Sequence, residues 1–281
     1  MSTLIQGAGV GLRTPHLSHL LNERPDVPWL ELLADNWFAE GGTDLELLEV
    51  ITELYPVTLH GVNLSLGTLD PLDFDYLEKI KQLMQRTHTA WYSEHCSFSS
   101  FEGKRTPDLL PLPYTHEALR HICDRIDQVQ TFLGEKLLIE NISCYVECAD
   151  NQMSEATFIG EVARQAGCEI LLDINNLYVN SVNHRFDPID YLNELPLFSV
   201  KQLHLSGHDD KGLFLLDSHG SEIIPAVWEL YEYLISKTGD IPTLIEWDHD
   251  IPSWETLMME CRTAQHILNR ANTTAGIKDI A

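Results

Sequence analysis

Basic residues are scarce in this chain: 18 Lys and Arg stand against 43 Asp and Glu, a formal net charge of −25. A surface of that sign repels a phosphate backbone, so nucleic acid is not expected as a general partner. Long apolar runs are missing too, falling far short of the roughly 20 residues that a membrane helix needs. Met1 to Leu12 lacks a cationic start followed by an apolar core, so no membrane association or export is expected and the chain is read as cytoplasmic. Cysteine offers no framework. Cys96, Cys123, Cys144, Cys148, Cys168 and Cys261 are scattered without a CxxC pair, which suits reduced, mostly buried thiols. A Pro/Gly/Ser-rich linker, a charge block and a close internal repeat are all absent, so one domain over 1–272 with a tail at 273–281 is expected.

What is present is an alternation. Short apolar runs, at Gln6–Leu12, Trp29–Leu33, Val57–His60, Ala90–His95, Lys136–Glu140, Glu169–Asp173, Val200–Leu205 and Thr243–Glu246, are separated by longer segments of helical period. Helices are expected over Asp73–His88, Thr115–Leu133, Ser154–Ala166, Ser221–Thr238 and Ser253–Ala271. In the second, Leu119, Ile122, Ile126, Val129 and Leu133 recur at spacings of three and four, the period of one helix face. Ser154, Ser221 and Ser253 stand where N-caps belong. Eight strand-helix units in one chain point to an α/β fold, the (β/α)8 TIM barrel.

In such a barrel, residues that end the strands line the active site. Six of these runs end on His60, His95, Glu140, Asp173, His204 and Glu246, and the segment LLDSHGSEI adds Asp217 and His219 two apart. A carboxylate at a barrel mouth is costly to desolvate unless compensated, and no Lys or Arg adjoins these positions in sequence. A metal cation is the natural compensation, and the acids and imidazoles suffice for two ions sharing a bridging carboxylate. Mixed His and carboxylate ligands suit iron, zinc or manganese, and argue against an iron-sulfur cluster. Asp35 and Asn36 fall at the mouth as contacts or loop caps, His208 as a possible orienting residue, and Trp247–Asp250 as an acidic, solvated rim. Cys96 falls on the far face of its strand from His95. GAGVG at 7–11 lacks the spacing of a phosphate loop.

Taken in order, LHGVNLSLG, SEH, IEN, DINN, HLSGH, DSHG and IEWD resemble the multinuclear non-haem iron-dependent oxidases related to the methanobactin-biosynthesis oxidase, over nearly the whole chain. The resemblance implies a xylose-isomerase-like TIM barrel with two or three irons. His60, His95 and Glu140 would hold one, and Glu140 would bridge to a second held by Asp173, His204 and Glu246. Asn176, Asp217 and His219 would hold a third and are the catalytic candidates, the uncharged Asn176 making that site the most labile. It further implies dioxygen as co-substrate, a Cys-containing ribosomally made precursor peptide as substrate, and a small partner protein that presents it. The strand-two segment departs from many relatives in carrying Leu33 and Asp35, which bears on substrate rather than on the metal. A metal-dependent hydrolase or isomerase on the same barrel is the competing expectation, and a barrel that only binds is a third.

Overall fold

The strand-end argument requires the eight apolar runs to lie side by side, all pointing the same way. In the computed structural model, which describes residues 4–38 and 41–278, they do. The strands are β1 (Ala8–Gly11), β2 (Leu30–Leu33), β3 (Val57–Gly61), β4 (Tyr92–His95), β5 (Leu137–Glu140), β6 (Glu169–Asp173), β7 (Val200–Leu205) and β8 (Thr243–Ile245). Each is parallel to its neighbours in chain order, and β8 pairs with β1 to close the barrel. A strand only four residues long is held here because closure leaves it no unpaired edge.

The helices are α1 (Leu17–Glu23), α2 (Thr43–Leu54), α3 (Phe74–Thr87), α4 (His116–Leu133), α5 (Glu155–Ala166), α6 (Ile174–His184), α7 (Pro188–Glu194), α8 (Pro225–Thr238) and α9 (Trp254–Lys278). Asp73, Thr115, Ser154 and Ser253 each accept a backbone N–H in the first turn of α3, α4, α5 and α9, as their position in the sequence suggests. Ser221 does not cap: α8 begins at Pro225, whose fixed φ suits a first helical position, and the Ser221 hydroxyl donates instead to the His208 carbonyl at 3.0 Å. The backbone of α9 continues past Asn272 to Lys278, so helix occupies most of the segment expected as a tail.

Period-2 alternation divides the barrel wall between two environments. Leu137, Ile139, Ile170, Leu172, Leu203 and Leu205 belong to the main core formed with the helices. Ile5, Trp29 and Leu244 form a separate small cluster. The inward positions at the other end carry the polar side chains. Two hairpins sit on this face, Ser97–Phe101 with Lys104–Pro111 after β4, and Asp209–Asp210 with Leu215–Leu216 after β7. Trp29 fits only because Gly9 has no side chain, since a Cβ there would stand 2.5 Å from the indole ring. Gly9→Ala is therefore expected to destabilise the fold by about 1–3 kcal/mol, seen as a lowered midpoint in urea, and an unchanged midpoint would show that the ring has room to move.

Candidate metal centre

Glu140 ends β5 and is 1% exposed. Its Oε2 lies 3.3 Å from His60 Nε2 and 3.3 Å from His95 Nε2, and its Oε1 lies 3.2 Å from His204 Nδ1. Yet Glu140 Oε2 and His204 Nδ1 have no hydrogen-bond partner. The far nitrogens explain which lone pairs face inward. Ser93 Oγ donates to the Leu59 carbonyl and so accepts from His60 Nδ1 at 2.8 Å, while His95 Nδ1 reaches the Gly61 carbonyl at 3.1 Å. His204 Nε2 lies 2.9 Å from Glu31 Oε1. Each ring thus spends its N–H outward and turns a lone pair toward the same carboxylate.

Asp173 ends β6 and divides its two oxygens. Oδ1 accepts the Asn176 N–H at 2.7 Å and so caps α6, whereas Oδ2 has no hydrogen-bond partner. Asn141 fixes its backbone from the neighbouring strand, donating to the Asp173 carbonyl at 2.9 Å and accepting its N–H at 2.8 Å. Glu246, just beyond β8, brings Oε2 to 3.0 Å from His204 Nδ1 and 3.3 Å from His219 Nδ1. His219 sits in the left-handed region at φ 46°, a conformation that costs a non-glycine residue and that recurs at functional sites. Its Nε2 lies 2.6 Å from Asp217 Oδ1 and 3.9 Å from Asp173 Oδ2, and it too lacks a hydrogen-bond partner.

These donors form three groups with ligand atoms close enough to share an ion: His60, His95 and Glu140; Glu140, Asp173, His204 and Glu246; and His219, Glu246 and Asp248. Shared acids link the groups, Glu140 the first pair and Glu246 the second. The separations fit coordination. Donor atoms about 2.1 Å from one metal stand about 3.0 to 3.4 Å apart in octahedral or tetrahedral arrangements, the range of most contacts above. In the two groups that share Glu140, nitrogens and oxygens at that distance, largely buried and not aimed at one another, are the arrangement that a cation would complete; the third group ends on the exposed Asp248.

The residues picked out for a third ion are drawn together only in part. Asp217 and His219 meet, but Asn176 has both ends of its amide committed, its oxygen to Ser143 Oγ at 2.7 Å and its nitrogen to the Asn141 carbonyl at 3.0 Å. Asp248, expected as solvated rim, is exposed as expected and also stands 3.4 Å from His219 Nδ1. The expectation that no cation lies near the acids is also corrected. Arg13, in the loop after β1, lies 3.2 Å from Glu246 Oε1 and donates to Asp248. It is far away in sequence, which is why a search of adjacent residues passes over it.

Three further residues were silent in the sequence. Glu31 on β2 accepts from Thr58 Oγ1 at 3.0 Å and from Gln202 Nε2 at 2.6 Å, so Glu31 and Gln202 together fix the ring of His204. Ser93 fixes that of His60. The signal for Glu31 is an acid at an alternating position inside an apolar strand. Asp35, by contrast, accepts from Val62 N–H, Asn63 and Tyr76 Oη, and so pins the loop after β3. His208 meets Asn175 Oδ1 at 2.7 Å, and Asn175 in turn donates to Asp217 at 2.9 Å. A cavity of about 280 Å³ opens over the centre, with Leu33, Leu109, Ile142, Tyr145 and Leu216 among its walls.

Electrostatics follow the geometry. Burial is the largest influence on the carboxyl groups and opposes ionisation, yet His204, His95 and His60 hold Glu140 below the usual range, and His204 and His219 hold Glu246 well below it. At Asp173 burial wins and the carboxyl is pushed up. Burial disfavours a charged His95, but Glu140, Glu94 and Glu246 outweigh it and raise the ring to about 9; His204 and His219 are raised likewise by their carboxylate neighbours.

The barrel and its strand-end donors define a class, the xylose-isomerase-like TIM barrels. Among solved structures of that shape, L-ribulose 3-epimerase superposes with a TM-score of 0.63 at 12% identity, covering 98% of each chain. Endonuclease IV from Thermus thermophilus does so with 0.59 at 13% identity, covering 94% of this chain and 99% of the other. Such identities speak for the fold alone. The chain belongs to the MbnB/TglH/ChrH family, described as RiPP precursor modification enzymes, whose model matches residues 7–269. A UPF0276 protein of Acaryochloris marina is 48% identical over 266 residues, 95% of this chain and 96% of its own. One from Chromobacterium violaceum is 40% identical over 272 residues, 97% and 98% of the two chains.

Two outcomes follow from this site. Because His95, His204 and His219 hold protons more tightly than free imidazole, and must lose them to ligate, the affinity of the metal-free protein for added Zn²⁺ should rise with pH from 6 to about 9, with proton release on binding. Calorimetry in buffers of different ionisation heat reads the released protons, and a pH-independent affinity would contradict the assignment. Glu31→Gln, which touches His204 but none of the shared oxygens, should weaken metal retention roughly 10–100-fold, measured by competition with a chromogenic chelator.

Proposed function

We propose that this chain is a multinuclear non-haem iron-dependent oxidase that uses dioxygen to modify cysteine residues of a ribosomally synthesised precursor peptide. The observation that carries the reading is the set of buried donor atoms left without hydrogen bonds, Glu140 Oε2, Asp173 Oδ2, His204 Nδ1 and His219 Nε2, converging on one space. Membership of a peptide-modifying family supports a peptide substrate.

His60, His95 and Glu140 would hold one iron, and Glu140, Asp173, His204 and Glu246 a second. His219, Glu246 and Asp248 stand where a third would be held, with Asn176 positioning the loop at Ser143 rather than ligating. Iron bound there supplies Lewis acidity toward a thiol and electrons toward dioxygen. Asp217, on the cavity wall beside His219, is the carboxylate placed to accept the proton of an arriving thiol. Leu33, Leu109 and Ile142 limit water around the reacting cysteine. The −25 charge favours a basic or neutral peptide at long range, and a small protein that presents the peptide belongs to the same reading.

Elemental analysis and Mössbauer spectroscopy of protein purified anaerobically from iron-supplemented cells test it. Two or three irons per chain, with coupled spectra, are expected, and Glu140→Ala, which removes the bridge, should lose about half of them or more. Stoichiometric zinc that iron cannot displace would overturn the oxidase and favour a hydrolase or isomerase on this barrel.

A further inference from the structure

Beside the metal centre lies a second, mostly apolar cavity of about 400 Å³, between the segment following β5 and helices α5, α6 and α7. The two share a wall. Ser143 and Tyr145 border the metal cavity while Cys144 and Val146, alternating with them along the same segment, border this one. On α6, Asn176 faces the first and Asn180, one turn on, the second. Both asparagines tie down that dividing segment, Asn176 through Ser143 and Asn180 through the Cys144 N–H at 2.7 Å.

Its lining has a definite chemistry. Leu112, Tyr114, Met153, Phe186 and Tyr191 give apolar and aromatic walls. Glu147, Glu155, Asp187, Asp190 and Glu194 supply acids, His184 supplies an imidazole, and among the described residues neither Lys nor Arg lines it. Three of these acids are already used, Glu194 by the Ser154 and Thr157 hydroxyls, Asp187 as the cap of α7 and Glu147 at 3.8 Å from His184 Nδ1. Glu155 is less well served, with a long contact of 3.4 Å from Asn180, whose amide also serves the Ile142 carbonyl, and a bond from Tyr114. The Tyr191 hydroxyl, on a residue 5% exposed, has no partner at all. A buried hydroxyl without a partner, beside a carboxylate without a cation, lacks a donor that can serve both.

We propose that this cavity binds a lysine or arginine side chain of the peptide substrate, its aliphatic stem against the aromatic walls and its cation between Glu155 and Tyr191. The proposal rests on the reading that the substrate is a peptide. An ammonium or guanidinium donates several hydrogen bonds and accepts none, which matches a carboxylate and a hydroxyl oxygen, and its stem covers apolar surface as it reaches them. Burial pushes the Glu155 carboxyl up to about 7 despite the bonds from Tyr114 and Asn180, and a cation beside it would favour the ionised form. One helix turn is about 5.4 Å and an extended chain advances about 3.3–3.6 Å per residue, so a single peptide can occupy both cavities with the basic residue within about three positions of the reacting cysteine.

Nα-acetyl-lysine N-methylamide and its norleucine counterpart, which lacks only the cation, are the probes, titrated into the full chain with the methionine methyls ¹³C-labelled. The lysine probe should shift the Met153 signal and bind about tenfold or more tightly than the norleucine probe, and Glu155→Gln should abolish that preference while Tyr191→Phe reduces it. Equal affinity for the two probes, an unmoved Met153 signal, or a preference untouched by Glu155→Gln would each overturn the proposal. The comparison of probes on the unsubstituted chain needs no variant to fold. Because the readout needs neither iron nor oxygen, zinc in the metal centre would sink the oxidase reading without altering this result, and failure here would leave the iron content untouched.

Discussion

A carboxylate at the end of β5, almost wholly removed from water and faced by three imidazole nitrogens, is the constraint around which the rest of the site is arranged. Neutral rings cannot stabilise Glu140 there by hydrogen bonds, because the single N–H of each is directed outward to Ser93, the Gly61 carbonyl or Glu31. Negative charge and lone pairs therefore face one another at 3.2–3.3 Å. Such an arrangement is strongly unfavourable in a low-dielectric interior unless positive charge lies among the donors. In the metal-free protein, protons take that part, which is why His95 and His204 hold them so tightly. A metal ion would replace them and use every lone pair at once.

This constraint reaches into the fold. Orienting each imidazole takes a partner from another strand: Ser93 on β4 serves His60 on β3, the carbonyl of Gly61 on β3 serves His95 on β4, and Glu31 on β2 crosses the barrel to His204 on β7. The parallel register sets His60 opposite Ser93 and Gly61 one residue from His95, and closure of the barrel brings Glu31 to His204. Asp173 ties the site to a helix as well, since the oxygen that caps α6 leaves the other aimed at the centre. Rotating α6 would therefore disturb the metal donors and the Asn141 brace together.

The strands are legible because each is a short apolar run, and six of the eight carry a His or an acid at or beside the C-terminal end, which makes those residues legible for the same reason. What sequence could not supply was company across the barrel. Arg13 and Asp248 are separated by most of the chain, and nothing local marks them as partners. Glu31 reads as one acid in WLELLAD until the barrel closes and sets it against His204. Asn176 shows the converse, since it falls beside Asp173 in DINN and lines the same cavity, but folding commits its amide to Ser143 and Asn141. Helices α1, α2, α6 and α7 were passed over, α6 because its run of asparagines weakens helical propensity and only the Asp173 cap and tertiary packing hold it.

The same barrel shape in an epimerase and an endonuclease shows how little the fold decides. The difference here lies in how charge is distributed across the centre. Three imidazoles gather around Glu140, whereas on the far side Glu246 and Asp248 share Arg13, a cation already supplied by the protein. Positive charge brought in by metal is therefore needed less where Arg13 sits than at Glu140 and Asp173, whose orphaned oxygens have no such neighbour. Affinity should follow that gradient, strongest at the two groups that share Glu140 and weakest around His219. An open or readily vacated position beside His219 would then face the cavity lined by Asp217 and Tyr145, on the side where a substrate has to enter.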